Sequence, residues 1–176
     1  MAPHSISAGS LAGPHEVRTG ILRGVPSDRF LSRFSMSLPA GALRAWGKLN
    51  VPVYRFSGGR LMNKVGRAPV LLLTSTGRRS GQLRTAPVLY LRDNGRVCVI
   101  GSNAGNKQAP AWSHNLRANP DAEIEIGRER ALVRARVTDG EERAELWQKM
   151  NAQYGGFDDY DQRTSRDIAV FVLKPR

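Results

Sequence analysis

The chain has 176 residues, 40% hydrophobic and 24% charged, a composition that predicts a soluble globular protein of one domain rather than a disordered or fibrous chain. Its formal net charge is +12, and its single cysteine, Cys98, excludes an intramolecular disulfide and a cysteine-based zinc site. No apolar run approaches the roughly 20 residues that cross a bilayer, and residues 1–20 lack the features of a signal peptide, so a cytoplasmic protein is expected.

The N-terminal part of the chain predicts a tail followed by a helix. Residues 1–25 are expected to be a poorly ordered tail, and residues 26–176 to form one domain. Residues 42–54 have the periodicity of a helix, which Pro52 is expected to kink or to end at Val51. The residues expected near one face of this helix are Leu43, Trp46, Asn50, Val53 and Tyr54.

Six short apolar segments bounded by turn residues predict strands. Residues 68–76 form a nearly continuous apolar run, which is typical of a strand buried on both faces. Asn94 and Gly95 predict a tight hairpin, because both residue types tolerate the positive φ angles that such turns need. The other predicted strands are residues 84–91, 96–102, 122–126, 130–137 and 168–173.

Two helices are predicted between the later strands. Pro110 favours the start of the first helix, which is expected to stop at Asn119 because a proline follows. Thr138 and Glu141 match a capping box that opens the second helix, which is expected to end at Gly155. Together these elements predict an α+β, mainly β fold, a six-stranded antiparallel barrel with an N-terminal helix and two inserted helices.

The excess of positive charge lies in the first part of the chain. Residues 1–100 carry 15 basic and 3 acidic groups, whereas residues 101–176 carry 12 of each. A nucleic acid, an anionic membrane surface and a polyanionic small ligand would each fit this asymmetry. Nucleic-acid binding is not expected, because such surfaces usually interleave basic residues with exposed aromatic ones and the most basic turn contains none.

That turn lies within TSTGRRSGQLRTAPV, residues 74–88, between two predicted strands. Gly77 and Gly81 allow a tight turn whose N–H groups can converge on an anion. Arg78, Arg79 and Arg84 supply positive charge, and the planar guanidinium group suits phosphate and carboxylate oxygens. The turn therefore predicts an anion site, and the alternative is a solvated hairpin with three ordinary surface arginines.

Other familiar chemistries do not fit the sequence. The glycines of the basic turn enclose three residues instead of the four of a P-loop, and GSNAGN at residues 101–106 lacks the spacing of a dinucleotide fingerprint. The histidines, His4, His15 and His114, are scattered, so no metal site is expected. No serine lies in a nucleophile elbow.

Five motifs together resemble the deazaflavin-dependent nitroreductase family of actinobacteria, over about residues 40–174. They are TSTGRRSGQLR, LRDNGRV, GSNAG, PAWSHNLRANP and YGGFDDYDQRT. The resemblance implies the split β-barrel fold of FMN-binding flavin reductases and use of reduced coenzyme F420. This coenzyme carries a phosphodiester and an oligoglutamate tail at one end and an apolar tricycle at the other.

The resemblance also implies residues that bind the coenzyme. Those implied at the phosphate turn and along the second strand are Arg78, Arg79, Ser80, Arg84, Thr85 and Ala86, with Arg79 at a position usually held by lysine. Those implied along the deazaflavin ring are Ile100, Gly101, Ser102 and Asn103, and Phe157 is implied as a further residue that binds the coenzyme. Those implied at the helix start that closes over the coenzyme are Ala111, Trp112, Ser113, His114 and Asn115.

On the substrate side, the resemblance implies Leu89, Tyr154, Phe157 and Tyr160. Two of them depart from the family's pattern, since Leu89 replaces an aromatic residue and Phe157 replaces a tyrosine. Ser102 or Tyr160 is implied as the group that hydrogen-bonds the developing oxyanion of the acceptor.

The function that the resemblance implies is hydride transfer from reduced F420 to a planar, electron-poor acceptor, either a quinone or a nitroaromatic compound. Two alternatives are a split-barrel flavoprotein that binds flavin mononucleotide (FMN), and a basic anion-binding module without catalysis. Peripheral contact with an anionic membrane through the basic N-terminal helix is compatible with the hypothesis that the protein is an enzyme, because quinones reside in membranes.

Overall fold

A computed structural model describes residues 40–176, without the side chains of residues 40–46 and Lys48. The predicted tail, residues 1–25, lies outside the described residues. The helices are α1 (Ala40–Phe56), α2 (Ala111–Ala118), α3 (Gly140–Tyr154) and α4 (Phe157–Asp161), and a 3-10 turn spans Asn103–Gly105. The strands are β1 (Lys64–Val65), β2 (Ala68–Thr76), β3 (Leu83–Asp93), β4 (Arg96–Ile100), β5 (Asp121–Ile126), β6 (Glu129–Val137) and β7 (Val170–Pro175).

Six of the strands form a closed antiparallel barrel. Its order is β2-β3-β4-β7-β6-β5, and pairing of β2 with β5 closes it. Thr74 of β2, for example, pairs with Thr85 of β3 on one side and with Glu123 of β5 on the other. The predicted six-stranded barrel is confirmed, with the short strand β1 added at the edge of β2.

The barrel separates two apolar clusters because side chains alternate across each strand. The interior cluster fills the barrel and consists of Leu71, Leu73, Val88, Tyr90, Val97, Val99, Trp112, Leu116, Ala122, Ile124, Val133, Ala135, Ala169, Phe171 and Leu173. The outer cluster lies under α3 and α4 and consists of Ala68, Cys98, Ile100, Leu146, Met150, Tyr154, Phe157, Tyr160, Ile168, Val170 and Val172, with Leu89, Leu91, Ala104 and others packed against it.

The first helix continues through Pro52, so the predicted end at Val51 is wrong. Beyond the proline, Tyr54 is buried. Its hydroxyl accepts a hydrogen bond from the N–H of Gly127 at 2.8 Å and donates to the carbonyl of Val70 at 3.3 Å. A proline inside a helix costs about 3 kcal/mol, and these contacts with β2 and with the β5–β6 turn offset that cost.

The predicted inner face of α1 is confirmed where side chains are described. Asn50 and Tyr54 are buried, and Val53 is partly buried. Leu43 and Trp46 lie outside the described side chains. Within residues 40–176, no helix has the length and apolar character that crossing a lipid bilayer requires.

Thr138 does not cap α3, contrary to the capping box that the sequence predicts. The N-cap residue is Asp139, and no side-chain hydrogen bond caps the helix. Thr138 is buried, and its hydroxyl donates to the carbonyl of Val170 in β7 at 3.2 Å. The tertiary contact with the barrel therefore takes the hydroxyl that the local pattern assigns to the helix.

The alternation in residues 130–137 predicts a strand with one solvated face and one buried face, the latter formed by Ala131, Val133, Ala135 and Val137. Val133 and Ala135 are buried as expected and Val137 is partly buried, but Ala131 is exposed. The reason is the register, because β7 pairs with β6 only from Val133 onward. The preceding residues of β6 pair with β5 alone and extend beyond the barrel.

The hairpin between β3 and β4 is confirmed. Asn94 and Gly95 both adopt positive φ, at 49° and 77°. Two elements were not predicted, the strand β1 and the helix α4. Both are too short, at 2 and 5 residues, to show a hydrophobic period.

Candidate functional site

The basic turn joins β2 to β3 and has a fixed backbone. The N–H of Gly77 donates to the carbonyl of Gln82, and the N–H of Gly81 donates back to the carbonyl of Gly77, both at 2.8 Å. A Cβ added at Gly77 would lie 2.8 Å from the Ser80 hydroxyl oxygen, and Gly81 has a φ of 67°. The positive φ favours glycine at position 81, and at Gly77 a Cβ would also lie only 3.1 Å from the carbonyl oxygen of Gln82.

Helix α2 holds this turn through Asn115. The side-chain oxygen of Asn115 accepts a hydrogen bond from the N–H of Arg78 at 3.1 Å, and its amide nitrogen donates to the Ser75 hydroxyl at 3.1 Å. Asn115 and Ser75 are both buried. The contact joins residues that lie 37 and 40 positions apart in the chain, so the turn is a rigid part of the fold.

The arginines of the turn remain available to a ligand. Among residues 40–176, no carboxylate forms an ion pair with Arg78, Arg79 or Arg84, although other arginines of the barrel are paired with acidic residues. Arg84 donates only to the side-chain oxygen of Gln82, at 3.1 Å. The turn thus presents three charges to solvent, which fits the polyanionic end of a coenzyme.

The other residues predicted on this strand lie beside the turn. Ser80 is exposed, and Thr85 and Ala86 are partly buried. The hydroxyl groups of Thr85 and Thr74 are 2.8 Å apart and share a hydrogen bond across the two strands.

Helix α2 also contacts the ring segment, residues 100–103, which are predicted to lie along the deazaflavin ring. A Cβ added at Gly101 would lie 3.2 Å from the Ser113 hydroxyl oxygen, so the strand end and the helix are in direct contact. Ala111 is exposed at the helix start. Trp112 instead points into the barrel, where its ring centroid lies 5.6 Å from that of Phe171. The structure therefore gives the Trp112 ring a packing role in the interior cluster.

The segment that follows β4, here called the ring loop (Ser102–Asn106), has a strained backbone. Asn103 and Ala104 adopt positive φ angles of 49° and 53°, which residues other than glycine rarely do. The Asn103 side chain donates to the carbonyl of Gln108 at 2.8 Å, and the Asn106 side chain donates to the carbonyl of Asn103 at 2.7 Å. Strain of this kind persists only where surrounding contacts hold it, and it is concentrated at functional sites.

The ring loop meets the predicted substrate residues in the outer cluster. A Cβ added at Gly105 would lie 3.2 Å from the backbone of Tyr160. The hydroxyl groups of Tyr154 and Tyr160 are 2.8 Å apart, and the Phe157 ring lies 5.3 Å and 6.2 Å from the two tyrosine rings. Leu89 packs against the same cluster. All four predicted substrate residues are thus brought together.

His114 is influenced by positive charges from several segments of the candidate site. Burial lowers the pKa of His114 below its ordinary value, and the positive charges of Arg78, Arg117 and Arg166 lower it further. These arginines come from the basic turn, from α2 and from the segment after α4. The imidazole therefore lies in a region of positive potential.

Binding of a polyanion should raise the pKa of His114. The bound charge would neutralise the nearby arginines, so protonation of the imidazole becomes less costly. We therefore expect proton uptake on F420 binding and tighter binding as the pH falls through the ordinary histidine range, about 6.5. NMR titration of the imidazole, assigned with His114→Gln, measures the shift. An unchanged pKa at saturation would contradict the assignment.

Asn115 should be required for both the turn and the coenzyme. Asn115→Leu leaves the Arg78 N–H and the Ser75 hydroxyl without their partner, which should lower the free energy of unfolding by about 1–3 kcal/mol. F420 affinity should fall because the turn is no longer held. Asn119→Leu, at the C-cap of α2, is the control for a change in the same helix. Urea unfolding and fluorescence titration measure the two effects, and unchanged affinity in Asn115→Leu would refute the argument.

Sequence reasoning missed Arg166, whose guanidinium lies against the ring loop. A single arginine in a loop carries no pattern that singles it out. A separate cavity of about 530 Å³ lies between α1 and the barrel, lined by Tyr54, Asn63 and Tyr90 among others. None of the residues predicted to bind coenzyme or substrate lines that cavity.

Comparisons with known proteins show what this chain is similar to. An F420H2-dependent quinone reductase of Mycobacterium tuberculosis is 38% identical over 133 residues, which covers 73% of this chain and 89% of the relative. A solved F420H2-dependent reductase of the class FDR-A is 32% identical, with a TM-score of 0.56, and covers 60% of this chain and 94% of its own.

A second solved structure, described as a domain-swapped dimer, is 29% identical with a TM-score of 0.58 and covers 72% of this chain and 96% of its own. Residues 46–175 match the family described as F420H2-dependent quinone reductase, a stretch that includes the basic turn, the ring loop and the outer cluster. The chain therefore belongs to the F420H2-dependent quinone reductase family, whose members are oxidoreductases that use reduced coenzyme F420.

Proposed function

We propose that this protein transfers a hydride from reduced F420 to a quinone-type acceptor. The observation that carries the proposal is the position of α2, which contacts the basic turn through Asn115 and the ring segment through Ser113. The site is cationic at one end and lined by aromatic and aliphatic side chains at the other. That polarity matches a coenzyme with an acidic tail and an apolar tricycle.

Reduced F420, when bound, supplies the hydride, and the protein supplies position and surroundings. Arg78, Arg79 and Arg84 would hold the acidic end, because guanidinium groups bind phosphate and carboxylate oxygens in pairs of hydrogen bonds. The ring loop would orient the tricycle. The outer cluster would exclude water, since Tyr154 and Phe157 are each only 2% exposed.

The acceptor would bind against the outer cluster, beside the ring loop. Two hydroxyl groups there can stabilise a developing oxyanion, those of Ser102 and Tyr160, and both residues are buried. The Tyr160 hydroxyl already shares a hydrogen bond with the Tyr154 hydroxyl. Either tyrosine can therefore pass a proton toward the developing oxyanion. The rest of the outer cluster is apolar, which favours a quinone.

A steady-state assay under anaerobic conditions tests this function. Reduced F420 should be oxidised in the presence of a menaquinone analogue, at a rate proportional to enzyme concentration. Reduced FMN and NADH should not replace the deazaflavin. A protein that binds F420 tightly but oxidises it no faster than buffer, with every quinone tried, would be a binding module instead of an enzyme.

We also propose that the enzyme contacts an anionic membrane surface from the cytoplasmic side. Leu49 and Phe56 are 61% and 97% exposed, and they lie seven residues apart and so on the same side of α1. Leu61 is exposed just beyond the helix, next to Arg60. Apolar side chains bordered by positive charge suit the interface of an anionic bilayer, where quinones are dissolved.

Vesicle sedimentation tests the membrane contact. The protein should sediment with phosphatidylglycerol vesicles and not with phosphatidylcholine vesicles, and added salt should weaken the binding. The double variant Leu49→Asp/Phe56→Asp should remain in the supernatant. Equal sedimentation of this variant and the parent would show that another surface is responsible.

A further inference from the structure

Arg166 reaches from the segment after α4 to the ring loop. Its Nε donates to the carbonyl of Asn106 at 3.1 Å, and its Nη2 donates to the carbonyl of Ser102. These two carbonyls are the ends of the ring loop. One rigid guanidinium group therefore spans the loop and fixes the distance between its ends.

The contact explains how the ring loop keeps its strained shape. Asn103, Ala104 and Gly105 all adopt positive φ, and all three lie between the two carbonyls that Arg166 holds. A lysine could reach either carbonyl, but its single ammonium group lacks the planar fork that bridges both.

The third nitrogen of the same group has no hydrogen-bond partner within the part of the chain that the structure describes. Nη1 of Arg166 is buried, and no hydrogen-bond acceptor among residues 40–176 reaches it. Buried donors in proteins are nearly always satisfied, so an unpaired one calls for a ligand or a water molecule. The ring loop that the guanidinium holds follows directly after Gly101, where an added Cβ would lie 3.2 Å from the Ser113 hydroxyl oxygen of α2. The group therefore lies on the side of the site where the ring loop and α2 meet.

We propose that Arg166 is a positioning residue of the deazaflavin site. It holds the ring loop through two carbonyls, and its Nη1 donates a hydrogen bond to an oxygen of the bound coenzyme. The inference rests on the proposed function, since it takes F420 as the ligand. It assigns a role to a residue in the segment after α4 that the sequence pattern does not single out.

Two measurements on the same variants test the loop contact. Arg166→Lys keeps the charge, and Arg163→Lys is the matched control, because Arg163 is exposed and lies three residues away. Amide hydrogen exchange in the protein without coenzyme should be at least about tenfold faster at Gly105 and Asn106 in Arg166→Lys, since their N–H groups bond within the ring loop. The dissociation constant for F420, from fluorescence titration, should rise about tenfold or more. Arg163→Lys should match the parent in both.

A rescue experiment tests the free donor. Arg166→Ala should bind F420 weakly, and guanidinium at millimolar concentration should restore part of the affinity because it supplies N–H donors in the vacated space. Tetramethylammonium, which has no N–H group, should not. Rescue by both ions, or by neither, would overturn the assignment of Nη1 to the coenzyme.

The outcomes separate the two proposals. If the parent does not bind F420, the proposed function fails and this inference fails with it. If the parent binds and Arg166→Lys binds equally well, only the role of Arg166 is refuted. If the Arg166 variants do not fold where Arg163→Lys does, the residue is a structural element and the inference is overturned.

Discussion

Replacing Arg78 or Arg79 with alanine is expected to weaken F420 binding by about tenfold or more, because each variant loses a charge-assisted contact worth roughly 1.5–3 kcal/mol. Both side chains are exposed on a turn whose backbone is held by α2, so the fold should be unaffected. The double variant should lose more than either single one. The measurement is fluorescence titration at low salt, repeated at rising salt, where affinity of the parent should fall.

A control separates local contact from net charge. Arg128→Ala removes the same charge from an exposed position in the β5–β6 turn, beside the cavity near Tyr54. Its affinity for F420 should stay close to that of the parent. If Arg78→Ala and Arg79→Ala also bind like the parent at low salt, the turn is a solvated hairpin and not an anion site.

The second large effect is expected at Phe157, on the substrate side. A nitro group needs hydrogen-bond donors as negative charge develops on it, and loss of one such donor can cost on the order of a hundredfold in rate. Phe157 is buried between Tyr154 and Tyr160 and supplies no donor. We therefore expect measurable reduction of a menaquinone analogue and poor turnover of bulky nitroimidazoles. Phe157→Tyr should raise the nitroreductase rate more than the quinone rate.

Phe157→Leu is the matched control, since it removes the ring without adding a hydroxyl. It should leave the ratio of the two rates near that of the parent. Steady-state assays of the three proteins with both acceptors give the ratios. A parent enzyme that prefers the nitro compound, or an unchanged ratio in Phe157→Tyr, would refute the donor argument and leave the coenzyme assignment intact.

The barrel could be predicted from the sequence because its strands carry local signals. The run at Ala68–Thr76 is nearly continuously apolar, since this central strand pairs on both sides and is covered by both clusters. Asn94 and Gly95 encode their turn through their own backbone preferences. Each of these features depends on residues close together in the chain.

The errors occurred where a distant contact outweighs a local preference. Pro52 is tolerated within α1 because the hydroxyl of Tyr54, one half-turn later, is hydrogen-bonded to β2 and to the β5–β6 turn. The hydroxyl of Thr138 bonds to β7, 32 residues away, instead of capping α3. Neither partner can be identified before the barrel is assembled.

The candidate site likewise has features that the sequence predicts and contacts that only the fold reveals. The basic turn is visible in sequence as arginines between glycines, and the resemblance to a family adds the ring segment and the aromatic residues. The contact of Asn115 with Arg78 and that of Arg166 with the ring loop join segments 37 and 60 or more residues apart. They become apparent only when the fold brings α2 and the segment after α4 to the barrel.

Titration of the purified protein with F420 beside FMN, followed by fluorescence, tests the coenzyme assignment most directly. F420 should bind saturably, and its affinity should fall as salt rises because arginines hold the acidic tail. FMN carries one phosphate and no such tail, so it should bind more weakly and with a smaller salt dependence. Equal affinity for the two compounds, or binding of FMN alone, would contradict the assignment of this site to a deazaflavin.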